Sequence, residues 1–426
     1  MKRHFRWIVI LTTLISIILL VGNVLLFNLI PPPKRIIEPV SIDYGIGDPQ
    51  FRRTMGSILQ QPIIDGNQIE VLRDGREIYP AMVAAINGAA HSITFETYKF
   101  WGERSAGKIA TALAAAAKRG VSVHALPDFI GSLDADPDKF REMEAAGVEL
   151  IRWRPPTLSQ LPRFNHRTHR KLLIIDGKEG FIGGANIADH QLPEEENAYR
   201  DYHFRVRGPV VANMQATFLE TWSGASGKFL GGEKYFPELT AQGDLPAQMV
   251  NSSPREGRHR IRKMFLYGIA AAEEQITAGT AFFYPDQDFL DALAAAAHRG
   301  VRVRLLVQGN SGNFNFLRHA SINRWRPLLE AGIEIYEYEP GIYHAKLMSI
   351  DDQWVSIGSA NLDNRSFRIN DDANINVYHE GFARAIRELI EDDLQYAKHC
   401  DMTCWKQRPL HYRLYGRIFM LIGSHL

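Results

Sequence analysis

One pattern constrains this chain more than any other. His169-Arg-Lys-Leu-Leu-Ile-Ile-Asp176 returns 175 residues later as His344-Ala-Lys-Leu-Met-Ser-Ile-Asp351. Each His stands 17 residues before an Asn, in Gly183-Gly-Ala-Asn186 and Gly358-Ser-Ala-Asn361. Four apolar residues in a row, Leu172 to Ile175, predict a buried strand. Residues two apart on a strand share a face, so His169 and Lys171 are expected to project together.

The duplication reaches beyond these motifs. Leu113-Ala-Ala-Ala-Ala-Lys-Arg-Gly-Val-Ser-Val123 matches Leu293-Ala-Ala-Ala-Ala-His-Arg-Gly-Val-Arg-Val303, and Ala146-Gly-Val-Glu-Leu150 matches Ala331-Gly-Ile-Glu-Ile335. A repeat of this length is a duplicated domain rather than a solenoid. Strand patterns at Ile93–Tyr98 and Val121–Leu126 alternate with helical ones at 81–90 and 106–119, the latter closed by Gly120. That alternation predicts an α/β sandwich with a largely parallel core. The expected domains are 66–225 and 249–405, joined by a Gly- and Pro-rich connection over 226–248.

The stretches resemble the paired HKD motifs of the phospholipase D superfamily, and bacterial cardiolipin synthases most of all. The resemblance covers roughly residues 65 to 400 and includes Gly358-Ser-Ala-Asn-Leu-Asp-Asn-Arg-Ser-Phe367. It implies two duplicated α/β/α sandwich domains sharing one active site.

Residue chemistry supports a shared site. Phosphodiester exchange needs a nucleophile, an acid for the leaving alcohol, and cations for the non-bridging oxygens. Histidine suits the first two tasks, with an ordinary pKa of about 6.5. Lysine supplies fixed charge and the Asn amide a directed donor. Each half carries one His, one Lys and one Asn, so the halves must meet. The resemblance implies that His169 attacks phosphorus to form a phosphohistidine, while His344 protonates the leaving group and deprotonates the incoming alcohol. The sequence alone allows the reverse order. Lys171, Lys346, Asn186 and Asn361 are expected to hold the phosphate, with Ser359 adding a hydroxyl that its counterpart Gly184 lacks. Asp201 and Asp372 are the expected acceptors that fix the histidine tautomers, with Asp371 in reserve. By the resemblance, cardiolipin synthases usually carry Glu at the position of Asp372. Asp176 and Asp351 complete the motifs, at strand ends suited to structural ion pairs. His166 and His203 are read as structural or substrate-lining. Glu96 and Tyr98 are expected either to touch substrate or to pack. The Thr280–Asp286 aromatics line an acyl channel or fill core.

This chemistry needs no metal or cofactor. His399, Cys400, Cys404 and His411 leave open a zinc site, two ordinary thiols at a helix end, or a disulfide strained by i,i+4 placement on a helix.

Trp7 to Ile30 holds 24 uncharged residues between a basic start and Pro31-Pro-Pro33. At 1.5 Å per residue it reaches roughly 36 Å, enough for a bilayer core of about 30 Å. An uncleaved anchor over 7–30 is expected; a signal peptide is the competing reading, without a clear cleavage site. Lys2, Arg3 and Arg6 before it, against Lys34 and Arg35 after it, favour an inner-membrane protein with its catalytic domain outside the cytoplasm. Residues 31–65 read as a linker with an approach helix. The tail over 406–426 is read as a membrane-surface helix or a docked one.

The resemblance and anchor together imply a phosphatidyltransferase. A phospholipid such as phosphatidylglycerol is the donor, an alcohol is the acceptor, and the membrane is the setting. A phospholipase D hydrolase shares the first half-reaction. A nuclease is a third reading, disfavoured because a net charge of +1 gives no basic excess for nucleic acid.

Overall fold

The two halves build the same sheet twice and fuse them edge to edge. The computed structural model describes residues 2–28, 36, 38, 40–157, 165–192, 194–195, 198–310 and 315–420. Helices α1 (Lys2–Asn28) and α2 (Pro49–Leu59) come first. The first half then runs β1 (Ile64–Arg73), α3 (Asp74–Gly88), β2 (Ser92–Thr97), α4 (Gly107–Lys118), β3 (Ser122–Pro127), α5 (Pro137–Ala145) and β4 (Glu149–Leu150). It ends with β5 (Leu172–Ile175), β6 (Glu179–Gly183), β7 (Tyr199–Arg200), β8 (Tyr202–Arg207) and α6 (Val211–Ser226).

The second half opens with β9 (Leu245–Ser252), α7 (Arg260–Ala271), β10 (Gln275–Thr280), β11 (Phe283–Tyr284), α8 (Gln287–His298) and β12 (Arg302–Gln308). It continues through α9 (Asn315–Ile322), α10 (Arg326–Glu330), β13 (Glu334–Tyr338), β14 (Ile342–Tyr343), β15 (Lys346–Ile350), β16 (Trp354–Gly358), β17 (Leu362–Asp363) and α11 (Asn364–Arg368). The end is β18 (Asp372–Val377), α12 (Glu380–Leu394), β19 (Ala397–His399), α13 (Met402–Lys406) and α14 (Leu410–Met420).

Fifteen strands form one sheet, ordered β19-β13-β12-β10-β15-β16-β18-β9-β1-β8-β6-β5-β2-β3-β4. The antiparallel β1–β9 pair is the seam, and the strand order reads equivalently outward from it. The expected largely parallel core is corrected. Among the described strands of this sheet only β2–β3–β4 and β10–β12–β13 pair parallel, while β5, β6, β8 and their counterparts pair antiparallel. The turn at Asp176-Gly-Lys178 is too short for a crossover, and so joins antiparallel neighbours.

Each half is covered on both faces. α3 and α4 bury Ile78, Ile86, Ile109 and Leu113 against one face of the first half. α7 and α8 do the same in the second. α6 and α12 share a core on the opposite face with strands of both halves, through Phe218, Trp222, Ile386 and Ile390. The repeated Ala-rich motif has a visible purpose. Arg119 caps the carbonyls of Ile86, Asn87 and Ala89, and Arg299 caps those of Ile269, Ala270 and Ala272. Orphan carbonyls at a helix end are thereby satisfied.

Several expectations change at the edges. β9 starts at Leu245, inside the stretch taken as the connection. α2 is no free approach helix: Phe51, Met55 and Leu59 are buried in the core of the second half. α1 is helical over 27 residues, and its described apolar side chains are exposed, with Trp7 and Ile18 both at 64%. Among the described residues, however, no helix is long and apolar enough to cross a membrane. Part of the expected anchor, 29–30, lies outside the described residues.

Cys400 and Cys404 form a disulfide. They do not share a helix, which removes the expected strain. Asp401 caps α13 by accepting from the Cys404 amide at 2.8 Å, and the bend before it brings the two Cα atoms to 5.3 Å. The thiols are thereby spent on each other, which displaces the zinc reading. α14 docks on α9: Tyr412 packs on His319 with ring centroids 4.3 Å apart, and Asn323 donates to the Arg413 carbonyl. Leu410 and Leu414 stay exposed on it.

Candidate active site

Each motif histidine is positioned by the other half of the chain. The His169 amide donates to the Asp371 carbonyl at 2.8 Å, and the His344 amide donates to the Arg200 carbonyl at 2.8 Å. The carboxylate following each carbonyl then meets the ring. His169 Nδ1 lies 2.9 Å from Asp372 Oδ1, and His344 Nδ1 lies 2.6 Å from Asp201 Oδ2. Short cross-half pairings hold the frame, with β14 beside β7 and Thr168 beside Asp371. A carboxylate acceptor keeps the proton on Nδ1 and leaves Nε2 bare for substrate.

His169, His344, Asn186 and Asn361 line one cavity of about 210 Å³. Lys171 and Lys346 lie beneath it, buried, and each ammonium donates to the carbonyl of the histidine two residues earlier. Lys346 Nζ also stands 2.8 Å from His344 Nδ1. While that nitrogen holds its proton for Asp201, the ammonium rests on the carbonyl.

The electrostatics describe a site waiting for an anion. Burial pushes the His169 imidazole down to about 4; Lys171 adds to this and Asp372 opposes it. Burial, then Lys346 and Lys171, hold His344 well below its ordinary range. Burial lowers Lys346 to about 8 against the pull of Asp201 and Asp372. Burial and repulsion from Lys346 hold Lys171 well below the lysine range. Two buried ammonium groups that repel each other are relieved by a phosphate between them.

The carboxylates differ. Burial raises Asp372, but His169, the Ser359 hydroxyl and Lys171 outweigh it, so its carboxyl sits below the ordinary range. For Asp201, burial wins over Lys346 and the Tyr202 amide, and the carboxyl sits above it.

Three expected placements are corrected. Ser359 does not face the cavity: its hydroxyl donates to Asp372 Oδ1 at 2.6 Å and accepts the Ala373 amide. It steadies the carboxylate behind His169. A side chain at Gly184 would collide with Asp201, whose Oδ1 lies 2.1 Å from the Cβ position. Asp176 and Asp351 sit at the far ends of β5 and β15. Asp176 accepts the amides of Ala90, His91 and Ser92; Asp351 accepts those of Glu273, Glu274 and Gln275. Both occupy left-handed turns, at φ 52° and 54°. They are neither at the cavity nor in the expected ion pairs, because three amides already satisfy each carboxylate.

The reserve candidate Asp371 is buried near Arg154 and pushed up to about 6 by burial, while its carbonyl holds the His169 amide. Asp372 reaches its histidine without the longer Glu side chain. Of the undecided residues, Tyr98 lines the cavity and packs edge-on to His169 at 5.4 Å. Glu96 turns away to the Thr168 hydroxyl, and burial raises its carboxyl to about 7. His166 bonds the Ile369 carbonyl, and His203 is buried, outside the cavity lining. Phe282 lines the cavity and, with Phe283, Tyr284, Leu317 and Trp325, a small adjoining apolar crevice.

Sequence reasoning missed Lys99, Arg167, Tyr199 and Arg365 on the cavity wall. Tyr199 sits two residues before Asp201, and its ring lies 5.2 Å from that of His344. Its spacing from Asp201 was the available signal. Arg167 and Arg365 have no counterpart in the repeat, so duplication could not mark them.

Known proteins fit this geometry. The fold is that of a phosphatidylserine synthase from Haemophilus influenzae: TM-score 0.66 at 14% identity, over 88% of this chain and all of that one. A cardiolipin synthase from Alkalihalophilus pseudofirmus is 34% identical over 363 residues, covering 83% of this chain and 71% of that protein. Cardiolipin synthase 1 from Staphylococcus epidermidis is 33% identical over 85% of this chain and 75% of its own length. Residues 82–222 and 266–394 match the family described as cardiolipin synthase, PLD-like domain. The chain therefore belongs to the phospholipase D-like cardiolipin synthase family.

Proposed function

We propose that this protein is a phosphatidyltransferase that makes cardiolipin or a close analogue. Family membership and the two crossed His–Asp pairs at one cavity support the reading. His169 Nε2 attacks the donor's phosphorus; the bond to the leaving alcohol breaks, and His344 supplies that oxygen's proton. The acceptor alcohol then gives its proton to His344, its oxygen bonds phosphorus, and the P–N bond to His169 breaks. Asn186, Asn361 and the two buried lysines hold the phosphate oxygens.

His169 is the better nucleophile of the pair because Asp372 is the more firmly ionised partner. Bound phosphodiester charge offsets the repulsion from Lys171 and Lys346, which lets His344 carry the proton that the first step needs. Phosphatidylglycerol is the proposed donor and acceptor.

The domain limits 66–225, 226–248 and 249–405 stand as proposed units of one enzyme. α1 is proposed as a membrane anchor, since its uncharged part from Trp7 to Asn28 would extend about 33 Å. The Cys400–Cys404 disulfide favours a catalytic domain on the oxidising side of that membrane.

The test is lipid mass spectrometry on detergent-solubilised protein given phosphatidylglycerol, beside a His169→Ala control. Cardiolipin from the intact protein alone is expected. Phosphatidic acid as sole product with every alcohol tried would instead make the enzyme a hydrolase.

A further inference from the structure

The two walls of the cavity are not equivalent, and the difference lies at one pair of matching positions. In the first half, Thr97 Oγ1 donates to the Lys99 carbonyl at 3.1 Å; in the second, Thr280 Oγ1 donates to the Phe282 carbonyl at 3.0 Å. Both residues follow the equivalent strands β2 and β10, and both line the cavity. One wall thus carries a cation where the other carries an aromatic ring beside an apolar space.

Lys99 is built in rather than loosely exposed. Its amide donates to Asn186 Oδ1 at 3.3 Å, and its carbonyl also accepts the Ile187 amide at 3.1 Å. Burial lowers its ammonium, and the charge that opposes this is Asp134. Among the described residues no carboxylate lies within ion-pair distance of Lys99. Its place relative to the chemistry follows from a stack of rings. Tyr199 lies 5.2 Å from His344, and His190 lies 4.0 Å from Tyr199. Lys99 and Trp101 flank the Phe100–Ile187 bridge and so share a face, and the Trp101 ring lies 5.2 Å from that of His190. The cation therefore belongs to the wall on the His344 side, where the alcohol enters and leaves. It is not one of the motif lysines beneath the phosphorus.

An acceptor that is itself a phospholipid brings a second phosphate, displaced from the reacting hydroxyl by a glycerol unit. We propose that Lys99 receives this second phosphate and so selects alcohols that carry a phosphodiester over glycerol and water. The inference rests on the phosphatidyltransferase reading.

The test is one mixed-micelle reaction holding phosphatidylglycerol, deuterated glycerol and glycerophosphoglycerol, the deacylated form of the same headgroup. Product ratios within one reaction cancel the donor step. In Lys99→Met, the cardiolipin and the glycerophosphoglycerol adduct should each fall about tenfold relative to deuterated phosphatidylglycerol. Lys99→Arg should restore most of the ratio. The comparison uses variants that melt with the wild type. All three products falling together would overturn the proposal. A loss confined to cardiolipin would overturn it too, since acyl chains rather than phosphate would then be what is sensed. Wild-type protein yielding no lipid product would instead overturn the phosphatidyltransferase reading, and this inference with it.

Discussion

The halves repeat each other closely in backbone and differ in what stands behind each histidine. Both histidines hang from a cross-half carbonyl and face a cross-half carboxylate. Behind His169, Asp372 also accepts from Ser359 and stays firmly ionised. Behind His344, Gly184 replaces that serine, Asp201 fills its space, and burial raises the carboxyl. A duplicated fold thus supplies two similar rings, and in the proposed mechanism the small differences around them divide the labour. On that mechanism neither half would suffice alone, because each contributes a ring and takes its carboxylate from the other.

The largest test separates the two rings. His169→Ala and His344→Ala should each cut cardiolipin formation by roughly 10⁴-fold or more. With a nitrophenyl phosphodiester, whose leaving group needs no proton, His344→Ala should still accumulate a phosphohistidine visible by intact-protein mass spectrometry. His169→Ala should not. An adduct on the His169→Ala protein would reverse the assignment.

Removing the carboxylates probes the crossing. Asp372→Asn and Asp201→Asn should each cost on the order of 10³-fold in kcat through loss of the tautomer. Single-turnover adduct formation should suffer chiefly in Asp372→Asn. Equal loss of adduct formation in both would show that the two pairs act as one unit.

Gly184 and Ser359 sharpen the comparison further. Gly184→Ser should unfold at lower temperature and lose most activity, because its Cβ would meet Asp201 and the His344 carbonyl, 2.9 Å away. Ser359→Ala should cost about ten- to a hundredfold, the worth of one hydrogen bond to a charged group. Its adduct formation should respond more than its adduct discharge.

The pH profile tests the lysine. Lys346 must keep its proton to hold phosphate, and it loses that proton near about 8. Activity should therefore fall as pH rises through that value. His169 must be neutral to attack, and its proton leaves at about 4, so activity should rise through that value. Lys346→Arg should move the alkaline limb upward; an unmoved limb would assign it to another group.

The smallest effect is expected outside the cavity. Cys404→Ser should lower stability by about 2 kcal/mol, from the short loop that the disulfide closes, and leave the rate unaltered. Thermal melts with and without reductant measure it.

Much of the site was visible in the chain because duplication repeats what chemistry requires. His169 and His344, with their lysines and asparagines, stand at matching intervals, and all belong to one cavity or its floor. Asp176 and Asp351 repeat just as faithfully, yet they cap strand-end turns. A repeat preserves structural needs as well as chemical ones, so repetition alone could not tell the two apart. Ser359 was misplaced because a hydroxyl near the cavity-lining Asn361 points wherever the nearest acceptor lies, and that acceptor comes from β18.

By itself the sequence determined the strand and helix alternation, the duplication and the histidines and asparagines that meet at one cavity. Those follow from local periodicity and from which side chains titrate near neutrality. Tertiary structure decided the partners. Which carboxylate faces which histidine, where Ser359 points, and that Lys99 and Phe282 oppose each other all depend on the seam between β1 and β9. That seam joins residues 178 positions apart at Asn67 and Leu245. Contacts over such separations are set by how two sheets register, which no local pattern encodes.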